Sequence, residues 1–231
     1  MLPRAAKATF YVLAGPAMSF NGWLYRVARA PRSGDIRVQL GPGQKSYLKG
    51  WLNVDANIFT GKCDVWADLR NPLPFRTNSI TAIYSHHVIE HLTDIEGHFR
   101  EVYRCLKPGG VYRVAGPNGD SAIAKFASGD GAWFGEWPAK RRSIGGRFEN
   151  FIFCRGEHLT ILTYSFLEEL AQDAGFDEVR EHGPIDQTGY PDLFQDAMAT
   201  EWESDFETPH TLVVECHKPL ASTARVRPEK V

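Results

Sequence analysis

The chain has 231 residues, 43% of them hydrophobic, enough to bury a large core within one domain. Its 26 basic against 28 acidic residues leave a net charge of −2, so no nucleic-acid partner is expected on electrostatic grounds. The four cysteines (Cys63, Cys105, Cys154, Cys216) form no CxxC pair, and no apolar run is long enough to span a bilayer; a reduced, cytoplasmic protein is expected.

Residues 1–34 contain no acid yet carry Arg4, Lys7, Arg26, Arg29 and Arg32. The stretch "ATFYVLAGPAM" has the flavour of a secretory signal, but Gly15 and Pro16 interrupt it and no small-residue cleavage site follows. Phe20, Trp23, Leu24 and Val27 share one helical stripe, predicting a helix that packs on the domain and caps a pocket. Peripheral contact with an anionic membrane is the alternative.

Next, Ile36, Val38 and Leu40 alternate as a strand into Gly41-Pro42-Gly43, and a second strand, Trp51 to Val54, ends on Asp55. The acid follows Gly43 by only 12 residues, a gap too short for a full helix, unlike the dinucleotide fingerprint with its acid about 20 residues on. "CDVWADL" (63–69) and "SITAIYS" (79–85) read as the third and fourth strands. A helix over 94–106 has a capping box in Thr93 and Glu96, and "KPGG" stops it before a fifth strand at 111–116. "YSFLEELAQDAGF" is a second helix ending at Gly175, "TLVVECH" (211–217) is a late strand, and the polar tail from Ala221 is expected to be frayed. The alternation argues for a mostly parallel sheet covered on both faces.

"LGPGQKSYLKGWLNVD", "WADLRNPLPFRTNSITAIYSHHVIEHL" and "LKPGGVYRVAGPN", in that order, resemble the class I S-adenosylmethionine-dependent methyltransferases, closely over 36–118 and loosely over 156–217. The nearest pattern is a bacterial subgroup with a short connection after the glycines, which accounts for the missing helix. The resemblance implies a Rossmann-like α/β fold with a seven-stranded, mostly parallel sheet in a domain over 35–220, flanked by the basic segment 1–34 and a tail over 221–231. It implies S-adenosyl-L-methionine as cofactor, bound by Gly41, Gly43, Asp55, Asp68, Leu69, Ser85 and His86. The glycines allow close backbone approach, Asp55 suits the ribose hydroxyls, and Asp68 with Leu69 would meet the adenine. Lys45 stands where a third glycine is usual.

Two other motifs compete. "HVIEH" (87–91) fits the H-x-x-E-H pattern of inverted zinc peptidases, with Glu157 available as a third ligand; the subgroup carries the same letters without zinc, so no metal is expected. "YRCLK" (103–107) matches a short-chain dehydrogenase Tyr-x-x-x-Lys pair, without the nicotinamide loop. If the acceptor is a hydroxyl, His87, His91 and His158 are the candidate catalytic bases, although His87 or His91 could equally shape the turn; Glu90 could orient one of them. The insertion 119–158, rich in glycine, aromatics and bases, is the expected acceptor side and lid: Trp133, Trp137, Arg142 and Arg147 would suit a small-molecule or glycan-type acceptor. The expected activity is O- or N-methylation, and a non-catalytic binding protein of the same fold is the alternative.

Overall fold

A computed structural model describes residues 4–59 and 61–220; the expected frayed tail lies outside them. Seven strands form one sheet: β1 (Arg37–Leu40), β2 (Leu52–Asp55), β3 (Val65–Trp66), β4 (Ile80–His86), β5 (Leu106–Pro117), β6 (Glu178–His182) and β7 (Thr211–His217). Their order is β3-β2-β1-β4-β5-β7-β6, with β7 antiparallel to both neighbours and the other pairings parallel. The helices are α1 (Arg4–Leu24, running into a wider turn at Tyr25–Arg29), α2 (Ile95–Cys105), α3 (Gly119–Ser128), α4 (Ile144–Phe153), α5 (Tyr164–Ala174) and α6 (Pro191–Met198). The architecture is the expected mostly parallel α/β sheet, and no described helix is long and apolar enough to cross a membrane.

Several local expectations change. The N-cap of α2 is Asp94, whose Oδ1 accepts the Gly97 N–H at 2.7 Å, rather than Thr93. "KPGG" is not what stops α2, which ends at Cys105. It lies inside β5 as a bulge, where β5 runs from Leu106 to Val111 while β4 advances only from Ile80 to Ala82. Helix α1 does pack on the domain, but not through the predicted stripe. Met18 and Gly22 are buried, whereas Phe20, Trp23 and Val27 face outward. Asn21 Nδ2 anchors the inner face by donating to the Trp66 carbonyl at 2.8 Å.

The short connection from β1 to β2 contains no helix, as its length predicted. Two buried amides hold it instead. Gln39 Oε1 and Asn53 Oδ1 accept the Leu48 N–H at 3.1 and 3.0 Å, and Asn53 Nδ2 donates to the Leu48 and Trp51 carbonyls, both at 2.9 Å. Leu48 and Trp51 then pack against Tyr84, Phe194, Ala197 and Met198, so α6, far along the chain, covers the face that a helix after β1 would occupy.

The link that brings α6 there is ionic. Arg113, fully buried on β5, donates from Nε and Nη2 to the two oxygens of Glu201, each at 2.8 Å, and from Nη1 to Glu215 on β7 at 2.7 Å. Nη1 also reaches the Gln187 carbonyl at 3.0 Å. Burial alone would raise the Glu215 carboxyl, but hydrogen bonds from His182, Thr188 and the Gly189 N–H, with the charge of Arg113, hold it down at about 2. Arg113→Met should therefore leave two buried carboxylates uncompensated and cost about 3–5 kcal/mol, read as a lower urea midpoint at unchanged slope. Because the folded value lies below the ordinary 4.5, the contribution of Glu215 is complete above pH 4.5 and is lost as pH falls towards about 2. Acid titration of wild-type stability checks that window.

Candidate functional site

The glycine turn leaves β1 with Gly41 and Gly43 both left-handed, at φ +66° and +58°. A Cβ on Gly41 would meet Val88 Cγ2 at 2.5 Å, so Gly41 is demanded by a close contact within the protein. Gly43 has open space where its Cβ would stand, which leaves its backbone accessible to a ligand. Asp55, at the end of β2, grips this turn: Oδ2 accepts the Gly43 N–H at 3.0 Å and Oδ1 accepts the Asn57 N–H at 2.8 Å. Each carboxylate oxygen retains capacity for a further donor.

Asp68 is buried two residues beyond β3, which is shorter than the sequence suggested. Its oxygens take three contacts from the Arg70 guanidinium, at 2.9, 3.1 and 2.6 Å. Tyr11 of α1 lies over that guanidinium, 3.6 Å from it to the ring centroid. Burial, with the negative charge of Asp68, raises the Tyr11 phenol, so α1 covers the acid edge of the site. Leu69 packs against the main core. Ser85, expected to touch the cofactor, turns inward instead: it is fully buried and its hydroxyl pairs with Tyr112 Oη at 2.8 Å.

The end of β4 carries the imidazoles. His86 is pulled down to about 3 by burial and by the charge of His87, and its buried Nε2 has no partner. His87 sits at φ +54° and donates its Nδ1–H to Glu90 Oε1 at 3.1 Å. Glu90 lies in a single 3-10 turn, Ile89–His91, and is completely buried. Burial would raise its carboxyl, but the hydrogen bond from His87 and the charges of His87 and His91 bring it below the ordinary value, so it is ionised. His91 Nδ1 pairs with the Glu157 carbonyl at 2.9 Å, and His158 Nδ1 with the Ile152 carbonyl at 2.9 Å. Carbonyls only accept, so both rings carry hydrogen on Nδ1 and present Nε2 to Glu90 Oε1, 3.9 and 4.0 Å away. The three predicted histidines thus do converge, around Glu90.

This arrangement departs from both competing motifs. A peptidase helix would hold metal with His87 and His91 and leave the glutamate free; here His87 is outside the turn and bound to the glutamate. Tyr103 lies in the last turn of α2 and Lys107 at the start of β5, at the end of that strand opposite Pro117, with Tyr103 packed on Phe176 and Lys107 bonded to the Gly34 carbonyl.

A cavity of about 950 Å³ opens beside the imidazoles. His86, His87, Glu90, His91 and His158 line one wall, and Trp133, Trp137, Asn150, Trp202 and His210 others. Trp133 is fixed by its Nε1–H to the Thr208 carbonyl at 2.8 Å and by stacking on His210 at 4.1 Å, whereas Trp137 is 66% exposed. The structure does not bring Arg142 or Arg147 to this cavity. Arg142 lies in a separate shallow surface depression, and Arg147 ties the Gly131 and Arg141 carbonyls together. Tyr11, Trp202 and His210 were not singled out from sequence. Trp202 and His210 lie outside the segments whose pattern carried meaning, Tyr11 lies in one read only for its apolar character, and only the fold brings the three to the site.

Residues 52–114, from β2 into β5, match the family model described as "Methyltransferase domain". No curated protein sequence is significantly similar to the chain. Among solved structures, a SAM-dependent methyltransferase from Thermotoga maritima is similar at 14% identity, with 93% of this chain and 96% of that one covered and a TM-score of 0.51. A SAM-dependent methyltransferase from Archaeoglobus fulgidus is similar at 13% identity, with 90% and 94% covered and a TM-score of 0.50. A chain of the Haloferax volcanii complex between the Trm112 methyltransferase activator and a methyltransferase gives 17% identity, 93% and 96% coverage and a TM-score of 0.50. The chain has the Rossmann-like methyltransferase fold, and its match to the methyltransferase domain runs through the strands that carry Asp55 and the imidazole turn.

Proposed function

We propose that the protein is an S-adenosylmethionine-dependent methyltransferase acting on an oxygen or nitrogen of a small-molecule or glycan-type acceptor. The observation that carries this reading is the contact of Gly41 with Val88, which joins the glycine turn directly to the turn that walls the histidine-lined cavity. One side is suited to a nucleoside: accessible Gly43 backbone, Asp55 for ribose hydroxyls, and Asp68 with Arg70 and Tyr11 at the edge. The other side is a pocket with aromatic walls, suited to a flat or sugar-like acceptor. When bound, the cofactor supplies an electrophilic methyl group on its sulfonium.

The chain itself would orient the acceptor, exclude water and remove a proton. His87 is the base this geometry favours. Its Nδ1–H is committed to the ionised Glu90, which fixes the ring and leaves Nε2 as the basic nitrogen. His86, held at about 3, stays neutral near pH 7 and is a much weaker base. His91 and His158 are turned towards Glu90.

The reading extends to a partner, an anionic membrane surface under α1. Val12 and Leu13 are each 75% exposed, and Phe20, Trp23 and Val27 continue the same outward stripe at helical spacing. Exposed Arg29 and Arg32 flank it, and the first 34 residues contain no acid.

Isothermal titration of wild type with S-adenosylmethionine should give one site, and the product S-adenosylhomocysteine should compete for it. Asp55→Ala should weaken the binding by about 1.5–3 kcal/mol, while Trp137→Ala and Arg142→Ala should leave it unchanged. Absence of binding by folded wild type would overturn the reading. Once an acceptor is found, His87→Ala and Trp137→Ala should lower turnover or acceptor affinity and Arg142→Ala should not. For α1, wild type should sediment with phosphatidylglycerol vesicles and not with phosphatidylcholine ones, and Phe20→Ser with Trp23→Ser should abolish it. A stripe used for self-association would instead show as a concentration-dependent mass in light scattering.

A further inference from the structure

The carboxyl group of Glu90 is fully buried and incompletely matched by its surroundings. Among the described residues Oε2 has no hydrogen-bond partner, and the side-chain donor to Oε1 is His87. An uncompensated buried charge of this kind is costly unless it is paired or coordinates a metal. The two other imidazoles do not supply the missing donors. With Nδ1–H given to the carbonyls of Glu157 and Ile152, His91 and His158 each turn Nε2 towards the carboxylate. At 3.9 and 4.0 Å these contacts are also too long for hydrogen bonds, even to a protonated ring. Three electron-pair donors, all within 4.8 Å of one another, therefore converge on one point.

We infer that Glu90, His91 and His158 form a binding site for a divalent cation of the zinc type in the wall of the acceptor cavity. One carboxylate and two imidazoles are a donor set that zinc accepts, with a fourth position left for water or a substrate oxygen. Around a tetrahedral ion with ligand bonds near 2.1 Å, donors stand roughly 3.4 Å apart. The two imidazole-to-carboxylate separations of 3.9 and 4.0 Å need to close by about half an ångström, and His91 is at the exposed edge of the cluster. The supporting contacts are those a metal site requires: each imidazole has its second nitrogen fixed by a backbone carbonyl, which sets both tautomer and ring plane. A Cβ on Gly116 of β5 would come within 3.6 Å of Glu90 Oε2 and would clash with Leu162 at 2.5 Å.

The open fourth position faces the cavity, so the ion would hold an acceptor oxygen and favour its deprotonated form. That role rests on the methyltransferase reading; the metal site does not. The ligand set also differs from the one the "HVIEH" pattern suggests, since His158 replaces His87.

The test is titration of the full-length, chelator-treated protein with Zn²⁺ and, for spectroscopy, Co²⁺. One equivalent should bind, and Co²⁺ should give the intense visible bands of a four-coordinate site. Glu90→Gln and His158→Gln should each weaken binding by roughly tenfold or more, with circular dichroism confirming a folded chain. His87→Ala should retain one equivalent, and His217→Ala, far along β7, should behave as wild type. No stoichiometric binding by folded wild type overturns the site. So does metal lost with His87→Ala but kept with His158→Gln. Because S-adenosylmethionine titration is run separately, failure of metal binding with intact cofactor binding would overturn this site alone. The converse would overturn the methyltransferase reading alone.

Discussion

The buried guanidinium of Arg113 holds together elements that are distant in sequence. It is bidentate to Glu201 and bonded to Glu215, with no side-chain exposure at any of the three beyond 1%. Desolvating three charges is costly, and the geometry offsets this because every guanidinium nitrogen meets an acceptor. What the cluster fixes is the crossing from β6 to β7. Glu201 also accepts the Ile185 N–H, so both ends of that long connection are tied to the centre of β5. Between them lies α6, which supports the glycine turn, and just beyond Glu201 lies Trp202, which walls the cavity. Both halves of the site depend on one ion cluster.

The absent helix after β1 has a similar logic. A parallel sheet needs both faces covered, and this chain covers that face by sending α6 back against Leu48, Trp51 and Tyr84. The loop from Gly41 to Trp51 cannot satisfy its own backbone as a helix would, so Gln39 and Asn53 do it from within the strands. These two amides look misplaced in a strand pattern until the loop they satisfy is seen. Asp64 completes the arrangement by accepting from both the backbone and the side chain of Asn53, which places β2 against the segment leading into β3.

The sheet's central strands were legible in sequence because they are buried on both faces and read as apolar runs between turn signals. β6 was not: "EVREH" is an edge strand with exposed, charged side chains and no apolar alternation. Helices α3 and α4 were hidden by glycines at Gly119, Gly145 and Gly146, residues that usually signal loops. The α1 stripe shows a limit of a different kind. Periodicity finds which residues share a face of a helix, but not whether that face meets the core or the solvent. Asp55, Asp68, His86 and His87 could be placed on one edge from sequence because each closes or closely follows a strand, whereas His158 follows no strand and only the fold brings it beside them. Ser85 was misread because alternation along β4 sends its side chain inward, next to Tyr112. Arg142 and Arg147 were misread because composition places a basic cluster in a segment without saying which way it faces.

The two halves of the site are not independent modules. Gly41 is packed on Val88 so closely that no side chain fits between them, and Val88 is flanked by His87 and followed by the turn that holds Glu90 and His91. His87 in turn is anchored to β5, its N–H donating to the Ala115 carbonyl at 2.9 Å. The Glu90 carbonyl accepts the Leu159 N–H at 2.7 Å, which brings His158 to the same cluster from the far end of the insertion. A displacement of this short turn by a fraction of an ångström would therefore move the glycine turn and all three imidazoles together, since close-packed contacts transmit strain rather than absorb it. The left-handed conformation of His87, an uncommon state for a residue with a side chain, is the point at which the chain leaves β4 and enters that shared turn. Its strain is balanced locally by the bonds to Ala115 and Glu90, and the same two bonds aim the ring into the cavity.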